Sequence, residues 1–283
     1  MSEIHESNQA QADFWSSAGT LWTALRERFD DQAGDHGIAA IDALAPAPGE
    51  RILDIGCGAG SATIDLAGRV GPEGSVRGLD ISPTMIDGAR ELAASSGVTN
   101  VSFEVADAMV APFEGDHDGL YSRFGVMFFS DPVRGFANMR TALRPGGRIG
   151  FVCWQTPVQN EWASVPLSVI GQFAEMPFGA DPTAPGPFSL SDPARLEQLL
   201  TDAGYTDVEL AGREVSVKLG DSMGEAVDFL FGLMPPAAAL RANDPETAEK
   251  VAAALVEAFA DWEGDDGVLA PSATWIVTGR SPD

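Results

Sequence analysis

The most constraining feature of this chain is Leu53-Asp54-Ile55-Gly56-Cys57-Gly58-Ala59-Gly60. Residues 51–55 read as a short apolar strand, the glycines as a tight turn, and about 60–69 as a helix. Glycine suits this turn because the backbone must bend sharply and let a ligand approach with no Cβ in the way. Glycine turns of this kind also occur in nucleotide-binding dehydrogenases. Here the third glycine follows two residues after the second, giving GxGxG rather than GxGxxG.

The rhythm continues downstream. Ser75–Leu79 is a strand ending at Asp80, Ser82-Pro83 opens a helix, and Gly97 stops it. Val101–Val105 is a strand ending near Asp107, and Gly119–Arg123 is another. A helix over about 132–143, a turn at Pro145-Gly146-Gly147 and a strand over Arg148–Trp154 complete the series. This alternation predicts an α/β fold with a parallel sheet covered on both faces. Upstream, Phe14, Trp15, Ala18, Leu21, Trp22, Leu25 and Phe29 keep helical spacing over 11–30, followed by a second helix at about 36–45 and the breaker at 45–50. After Trp154 the pattern loosens. Residues 155–190 read as loop with one short helix, and Ser191-Asp192-Pro193 caps a helix ending at Gly204. Residues 208–210 and 215–219 are strand-like, 222–262 are helical on both sides of Pro235-Pro236, and Trp275–Thr278 is a last strand.

Two carboxylates mark the ends of successive strands. Asp80 stands 22 residues beyond Gly58, where it can accept both hydroxyls of a ribose. Asp107, between Ala106 and Ala108, is placed to read an adenine amino group. With the glycine turn they line the crevice where open α/β sheets bind ligands.

These motifs, LDIGCGAG, GLDIS, VADAMVAPF and LRPGGRI, resemble in order and spacing the S-adenosylmethionine-dependent methyltransferases of the Rossmann-like class, over about residues 48–154. The run Ser122-Arg123-Phe124-Gly125-Val126-Met127-Phe128-Phe129 and the Trp after the fifth strand are similar to a bacterial branch of small-molecule enzymes that includes quinone methyltransferases. The resemblance implies a three-layer sandwich on a mostly parallel seven-stranded sheet, with helical N-terminal and C-terminal cap segments. It divides the chain into a helical lid at 1–45, a cofactor-binding core at 46–154, and the rest of the sheet at 155–283 with cap segments at 155–190 and 220–268. It also implies that Gly56, Gly58 and Gly60 border the methionine part of S-adenosyl-L-methionine, that Asp80 binds ribose and that Ile81 flanks adenine. Asp107 with Ala108 would bind the adenine edge, and the Arg123 backbone would lie beside the sulfonium. Asp54 and Cys57 join this set as members of the loop, Cys57 as a small buried filler rather than a nucleophile.

The departures narrow the acceptor. Ser-Arg-Phe-Gly stands where amino-methylating nucleic-acid enzymes carry Asn/Asp-Pro-Pro-aromatic, and neither Cys57 nor Cys153 follows a proline as a cytosine C5 enzyme requires. RIGFVCW also differs from the Glu-x-Ser pattern of quinone C-methyltransferases. The chain has 17 Lys+Arg against 42 Asp+Glu, a net charge of −25, which disfavours a phosphate backbone as partner. Two cysteines make no disulfide framework, which favours a reducing, cytoplasmic setting. There is no basic leader and no apolar run of 18 residues, so no membrane association is expected.

Trp15, Trp22, Met127, Phe128 and Trp154 are the candidate acceptor pocket, with plain core packing as the alternative. Phe173, Met176, Phe178, Phe188, Phe229, Phe231, Leu233 and Met234 give the caps an apolar, aromatic character. That favours a small apolar acceptor, with dimer contacts as the competing explanation. His36 is the one histidine placed to approach the site as a general base, unless it is a solvated cap residue; His5 lies in a frayed terminus and His117 in a polar turn. No cluster has metal-ligand spacing. The expectation is therefore a methyltransferase for a small molecule, monomeric or homodimeric. A nicotinamide-dependent oxidoreductase and a non-catalytic S-adenosylmethionine-binding protein remain as alternatives.

Overall fold

The computed structural model describes residues 4–175 and 181–282; Met176 and Phe178 lie outside them. Strands β1 (Arg51–Ile55), β2 (Ser75–Asp80), β3 (Val101–Val105), β4 (His117–Arg123) and β5 (Leu143–Trp154) run parallel. Strand β6 (Thr206–Gly220) and strand β8 (Gly267–Arg280) extend the sheet, and two-residue β7 (Glu263–Gly264) pairs with β8. The order is β3-β2-β1-β4-β5-β8-β6, with β8 antiparallel to both of its long neighbours. Strand order reverses between β1 and β4, so the crevice for a ligand opens at their carboxyl ends.

Both faces of the sheet are covered, as the apolar strands demand: β1 is buried beyond Arg51, and β4 is buried up to Arg123. Alternation along β5 sends Phe151 to one core, with Phe136 and Met139, and Val152 to the other, with Ile41, Leu44, Ile52 and Leu66. Around the sheet lie α3 (Ser61–Val70), α4 (Pro83–Ser96), α5 (Pro132–Arg140), α6 (Glu161–Ile170) and α7 (Pro193–Asp202), then α8 (Met223–Leu233), α9 (Pro235–Asn243) and α10 (Pro245–Ala258). Helix α4 starts on the Ser82 hydroxyl and stops at Gly97, whose φ of +67° is the left-handed conformation glycine tolerates.

Two expectations change. The amphipathic run at 11–30 is not one helix: α1 spans Gln9–Ala24 and a second helix, α2, spans Arg26–Leu44. Leu25 keeps backbone bonds on both sides, with φ −97° and ψ 14°. The turn is set by packing. Helix α1 lies on α4, where Gly19 sits against Ser82 and Thr84, whereas α2 lies across β5, β6 and β8. Second, 208–210 and 215–219 belong to one strand, and the last strand starts at Gly267 rather than Trp275. The two strands pair with each other beyond the end of β5, from Glu214–Ala273 to Gly220–Val268, and so rise above the ligand edge.

Candidate active site

The glycine turn is held from three sides. Gly56, Gly58 and Gly60 have φ of +66°, +55° and +91°. A Cβ on Gly56 would lie 2.8 Å from Gly125 Cα, so the loop after β4 closes tightly on the turn. The Ser122 hydroxyl donates to the Ile55 carbonyl at 2.7 Å, and Cys57 N donates to the Leu79 carbonyl at 2.9 Å. A Cβ on Gly58 would meet no protein atom within 4 Å, so that position opens into free space.

Asp80 clasps the turn from β2. Gly58 N donates to its Oδ2 and Ser82 N to its Oδ1, each at 2.9 Å. Burial pushes its carboxyl up from the ordinary value, against those backbone donors. Ile81 is half-buried beside it. Asp54, at the end of β1, accepts the Thr63 hydroxyl on Oδ2 at 2.6 Å, while its Oδ1 is buried without a partner. Burial raises Asp54 to about 7, with Arg123 opposing and Asp80 adding to the rise. Burial also lifts the Cys57 thiol, so this cysteine is protonated and inert at neutral pH.

Asp107 lies just beyond β3, 1% exposed. Its Oδ1 accepts Met109 N at 2.9 Å and Asn8 Nδ2 at 3.1 Å, and its Oδ2 accepts His5 N at 3.0 Å. His5 and Asn8 are therefore tied over the third strand end, where sequence suggests a frayed terminus. Asn8 and His5 carry no local signal, because their partner is about a hundred residues away. Asp30 is equally silent in sequence. It accepts Arg123 Nη2 at 2.7 Å and the Ser61 hydroxyl at 2.6 Å, joining α2 to β4 and to the first residue of α3.

Aromatic rings gather beyond β4 and β5. Trp15 packs edge-on to Phe128 and Trp22, with centroids 4.8 and 5.3 Å apart. Trp22 stacks on Phe29 at 3.8 Å, and Phe29 meets Phe229 of α8 at 5.7 Å. Phe124 holds a φ of +62°, uncommon for a residue with a Cβ, and stacks on Trp154 at 4.3 Å. Met127 is buried in the main core, and Ala108 is buried beside Asp107. His36 is buried between β8 hydroxyls, and burial lowers it to about 4. His117 stands at the start of β4, at the opposite end of the sheet, buried beside Asp116 rather than in an open turn.

A family model described as a methyltransferase domain matches residues 52–147. The aklanonic acid methyltransferase of Streptomyces sp. (strain C5) is 40% identical over 116 residues, covering 41% of this chain and 53% of that protein. The demethylmenaquinone methyltransferase of Deinococcus radiodurans is 31% identical over 176 residues, covering 59% of this chain and 72% of that protein. The chain belongs to the S-adenosylmethionine-dependent methyltransferases. It spans about half the length of the first relative. A solved structure of Haemonchus contortus phosphoethanolamine N-methyltransferase 2 with S-adenosyl-L-methionine shares the fold of this methyltransferase. The TM-score is 0.55 at 18% identity, over 88% of this chain and 53% of that one. The relatives decide against the nicotinamide-dependent alternative.

The residues present fit the cofactor of this family. Asp80 accepts from Gly58 N on Oδ2 and Ser82 N on Oδ1, with Ile81 N as a further backbone donor, and its remaining lone pairs suit the ribose hydroxyls. Asp107 keeps a lone pair on Oδ2, matching an amino group. The unpartnered Oδ1 of Asp54 and the buried, unpartnered Oδ1 of Asn8 are two further acceptors at this edge. Gly58 leaves free the volume a side chain would fill. Among the described residues no helix is long and apolar enough to cross a membrane.

Proposed function

We propose that this methyltransferase transfers the cofactor's methyl group to a small, largely apolar molecule held beyond the ends of β4 and β5. The observation that carries this reading is the aromatic wall made by Trp15, Trp22, Phe29, Phe128 and Phe229, on segments that also touch the glycine turn and the helix after it through Gly125 against Gly56 and Asp30 on Ser61. The two relatives named for aklanonic acid and demethylmenaquinone act on small molecules by their names, which supports the same acceptor class.

Bound S-adenosylmethionine supplies an activated methyl group on a good leaving group. Asp80 would hold the ribose, Asp107 and Asn8 the adenine amino group, and Asp54 the ammonium of the methionine part. Gly56, Gly58 and Gly60 would admit that part to the backbone, with Cys57, Ile81, Ala108 and the Arg123 backbone around it. The protein's share of the chemistry is orientation and exclusion of water. Trp154 and Phe124 form one wall, the α1 tryptophans form the other, and Met127 is buried in the main core. His36 is a poor proton acceptor in this arrangement, since both ring nitrogens already have hydroxyl partners. The reading therefore favours an acceptor that ionises by itself near neutral pH.

The buried, unpaired Cys57 and Cys153 suit a reducing cytoplasm, and one chain holds every residue the reading uses, so a monomer suffices. Calorimetry with S-adenosylhomocysteine and with NAD tests the cofactor assignment, and micromolar binding of S-adenosylhomocysteine alone is expected. Binding of NAD alone overturns it. Incubation with methyl-labelled cofactor and a metabolite extract is expected to label a small organic-soluble product; label found only in protein or nucleic acid overturns the acceptor class.

A further inference from the structure

Five buried side-chain atoms among the described residues have no hydrogen-bond partner: Asn8 Oδ1, Gln32 Nε2, Asp54 Oδ1, His117 Nδ1 and Arg213 Nε. His117 Nδ1 lies 2.9 Å from Asp116 Oδ1, and the asparagine and aspartate oxygens belong to the proposed cofactor edge. Gln32 and Arg213 remain. Both are donors, and both flank His36.

Their placement follows from register. Trp154 pairs with Thr274, and Thr274 pairs with Arg213. Cross-strand partners point to the same face, so these three side chains form a row across β5, β8 and β6. The Thr274 hydroxyl meets His36 Nδ1 at 3.0 Å, which puts the row on the face that α2 covers. Gln32 precedes His36 by one helical turn on the same side of α2 and is 7% exposed.

The histidine itself is neutral and its tautomer is settled by its neighbours. The Ser272 hydroxyl donates to the Val215 carbonyl at 2.5 Å, so it accepts from His36 Nε2–H at 2.9 Å. Nδ1 then accepts from the Thr274 hydroxyl. His36 leaves the charge of Arg213 unbalanced. Every other half-buried arginine has a carboxylate or carbonyl acceptor, whereas Arg213 makes no ion pair and no hydrogen bond among the described residues. This holds in a chain with 42 acidic residues. A half-buried cation with no counter-charge is costly to maintain, and a ligand anion removes that cost.

We propose that Arg213 and Gln32 form an anchoring subsite for a carboxylate of the methyl acceptor, on the α2 face of the β6–β8 pair. The inference rests on the methyltransferase reading above and names the polar end of its otherwise apolar substrate. A carboxylate accepts Nε–H and an Nη–H of one guanidinium in a single plane, and the glutamine amide donates to the same oxygens. It is ionised at neutral pH without any base, in keeping with a histidine whose nitrogens are both engaged.

The test is calorimetric, on the full chain saturated with S-adenosylhomocysteine, using 2-naphthoate and its neutral isostere 2-naphthamide as probes. The wild type is expected to bind the naphthoate at least about tenfold more tightly. Arg213→Gln brings the two probes within about twofold of each other, Arg213→Lys keeps part of the preference, and Gln32→Leu reduces it several-fold. Affinity for S-adenosylhomocysteine stays at the wild-type value in all three. Equal binding of the two probes by the wild type, no binding of the naphthoate, or a full preference surviving in Arg213→Gln overturns the proposal. If Arg213→Gln does not fold, Arg213→Lys and Gln32→Leu decide it, and an unchanged preference in both overturns it. Failure of the wild type to bind S-adenosylhomocysteine is a separate outcome that overturns the underlying reading, because the probe ratio is measurable without it.

Discussion

The two halves of the ligand edge are built differently. At the ends of β1, β2 and β3, carboxylates are tied to partners close in sequence: Asp80 to the Gly58 and Ser82 N–H groups, Asp107 to Met109 N–H, and Asp54 to the Thr63 hydroxyl. Beyond β4, β5 and β8, the wall comes from segments far apart in the chain, with Trp15 on Phe128, Phe29 on Phe229 and His36 on Thr274. Local ties hold a recurring cofactor in one geometry. Distant segments are free to vary their packing, and that is where acceptor choice belongs.

The largest effect that tests this contrast is expected at Gly58. Its φ is +55°, and a side chain there would enter open space. Gly58→Val should keep the fold, at a strain on the order of 1–2 kcal/mol. Affinity for S-adenosylhomocysteine should fall on the order of 100-fold, about 3 kcal/mol. A folded variant that binds normally would reduce the loop to a mere turn. Gly56→Val is the contrasting case: its Cβ meets Gly125 Cα at 2.8 Å, so thermal stability itself should drop.

Asp80→Ala comes next. Two charge-assisted bonds to the ribose lose their acceptor, an expected loss of about 1.5–3 kcal/mol, or roughly 10- to 100-fold in the dissociation constant. An unchanged constant by calorimetry removes Asp80 from the site. Asp80→Asn should fall between, because its carbonyl oxygen still accepts while its amide repels the Gly58 or Ser82 N–H.

The same contrast explains what was legible in sequence. Asp54, Gly56, Gly58, Asp80 and Asp107 stand at strand ends whose spacing is regular, and Ser82 and Gly97 are helix signals within a few residues of their partners. Asn8, Asp30 and Arg213 were not legible. Asn8 and Asp30 act through contacts 99 and 93 residues away and Arg213 through the absence of one, and no local periodicity encodes that. The break at Leu25 was hidden for a related reason. The amphipathic run continues through it, and only packing on α4 and then on β5 bends the chain. That packing also narrows the lid expected at residues 1–45. Ala40, Ile41 and Leu44 lie in the core under the sheet, and α1 buries only Ala12 and Gly19, so the proposed mobile part is residues 5–24.

The halves should also differ in their response to pH. Asp54 is raised from 3.8 to about 7, so between those values the folded state holds more protons than the unfolded one, and stability from this group falls as pH rises. His36 is lowered from 6.5 to about 4, so the folded state holds fewer protons there, and its contribution is lost as pH falls through that window. Asp54→Asn should flatten the upper limb of stability against pH and His36→Gln the lower. For the cofactor, an ammonium beside Asp54 favours its ionised form. Affinity for S-adenosylhomocysteine should therefore rise about tenfold from pH 6 to 8, with proton release, and Asp54→Asn should abolish the dependence. A flat profile in the wild type would place the ammonium elsewhere.

The smallest expected effect concerns the segment that joins the halves. Helix α1 starts beside Asp107, through Asn8, and its middle reaches Phe128 at the acceptor wall through Trp15. Asn8 must donate with Nδ2, because a carboxylate only accepts, and its Oδ1 is left buried and unpartnered. An adenine amino group supplies the missing donor, worth about 1 kcal/mol, which slows opening of the segment about fivefold. Hydrogen exchange over residues 5–24 should slow by that factor on adding S-adenosylhomocysteine, while residues 38–44 of α2 stay unchanged. Asn8→Ala should erase the difference without altering exchange in α2. S-inosylhomocysteine, which has a carbonyl in place of the amino group, should bind without protecting α1. Equal protection with and without S-adenosylhomocysteine would make Trp15 and Trp22 ordinary packing, and the moving cover would then be sought in residues 155–190.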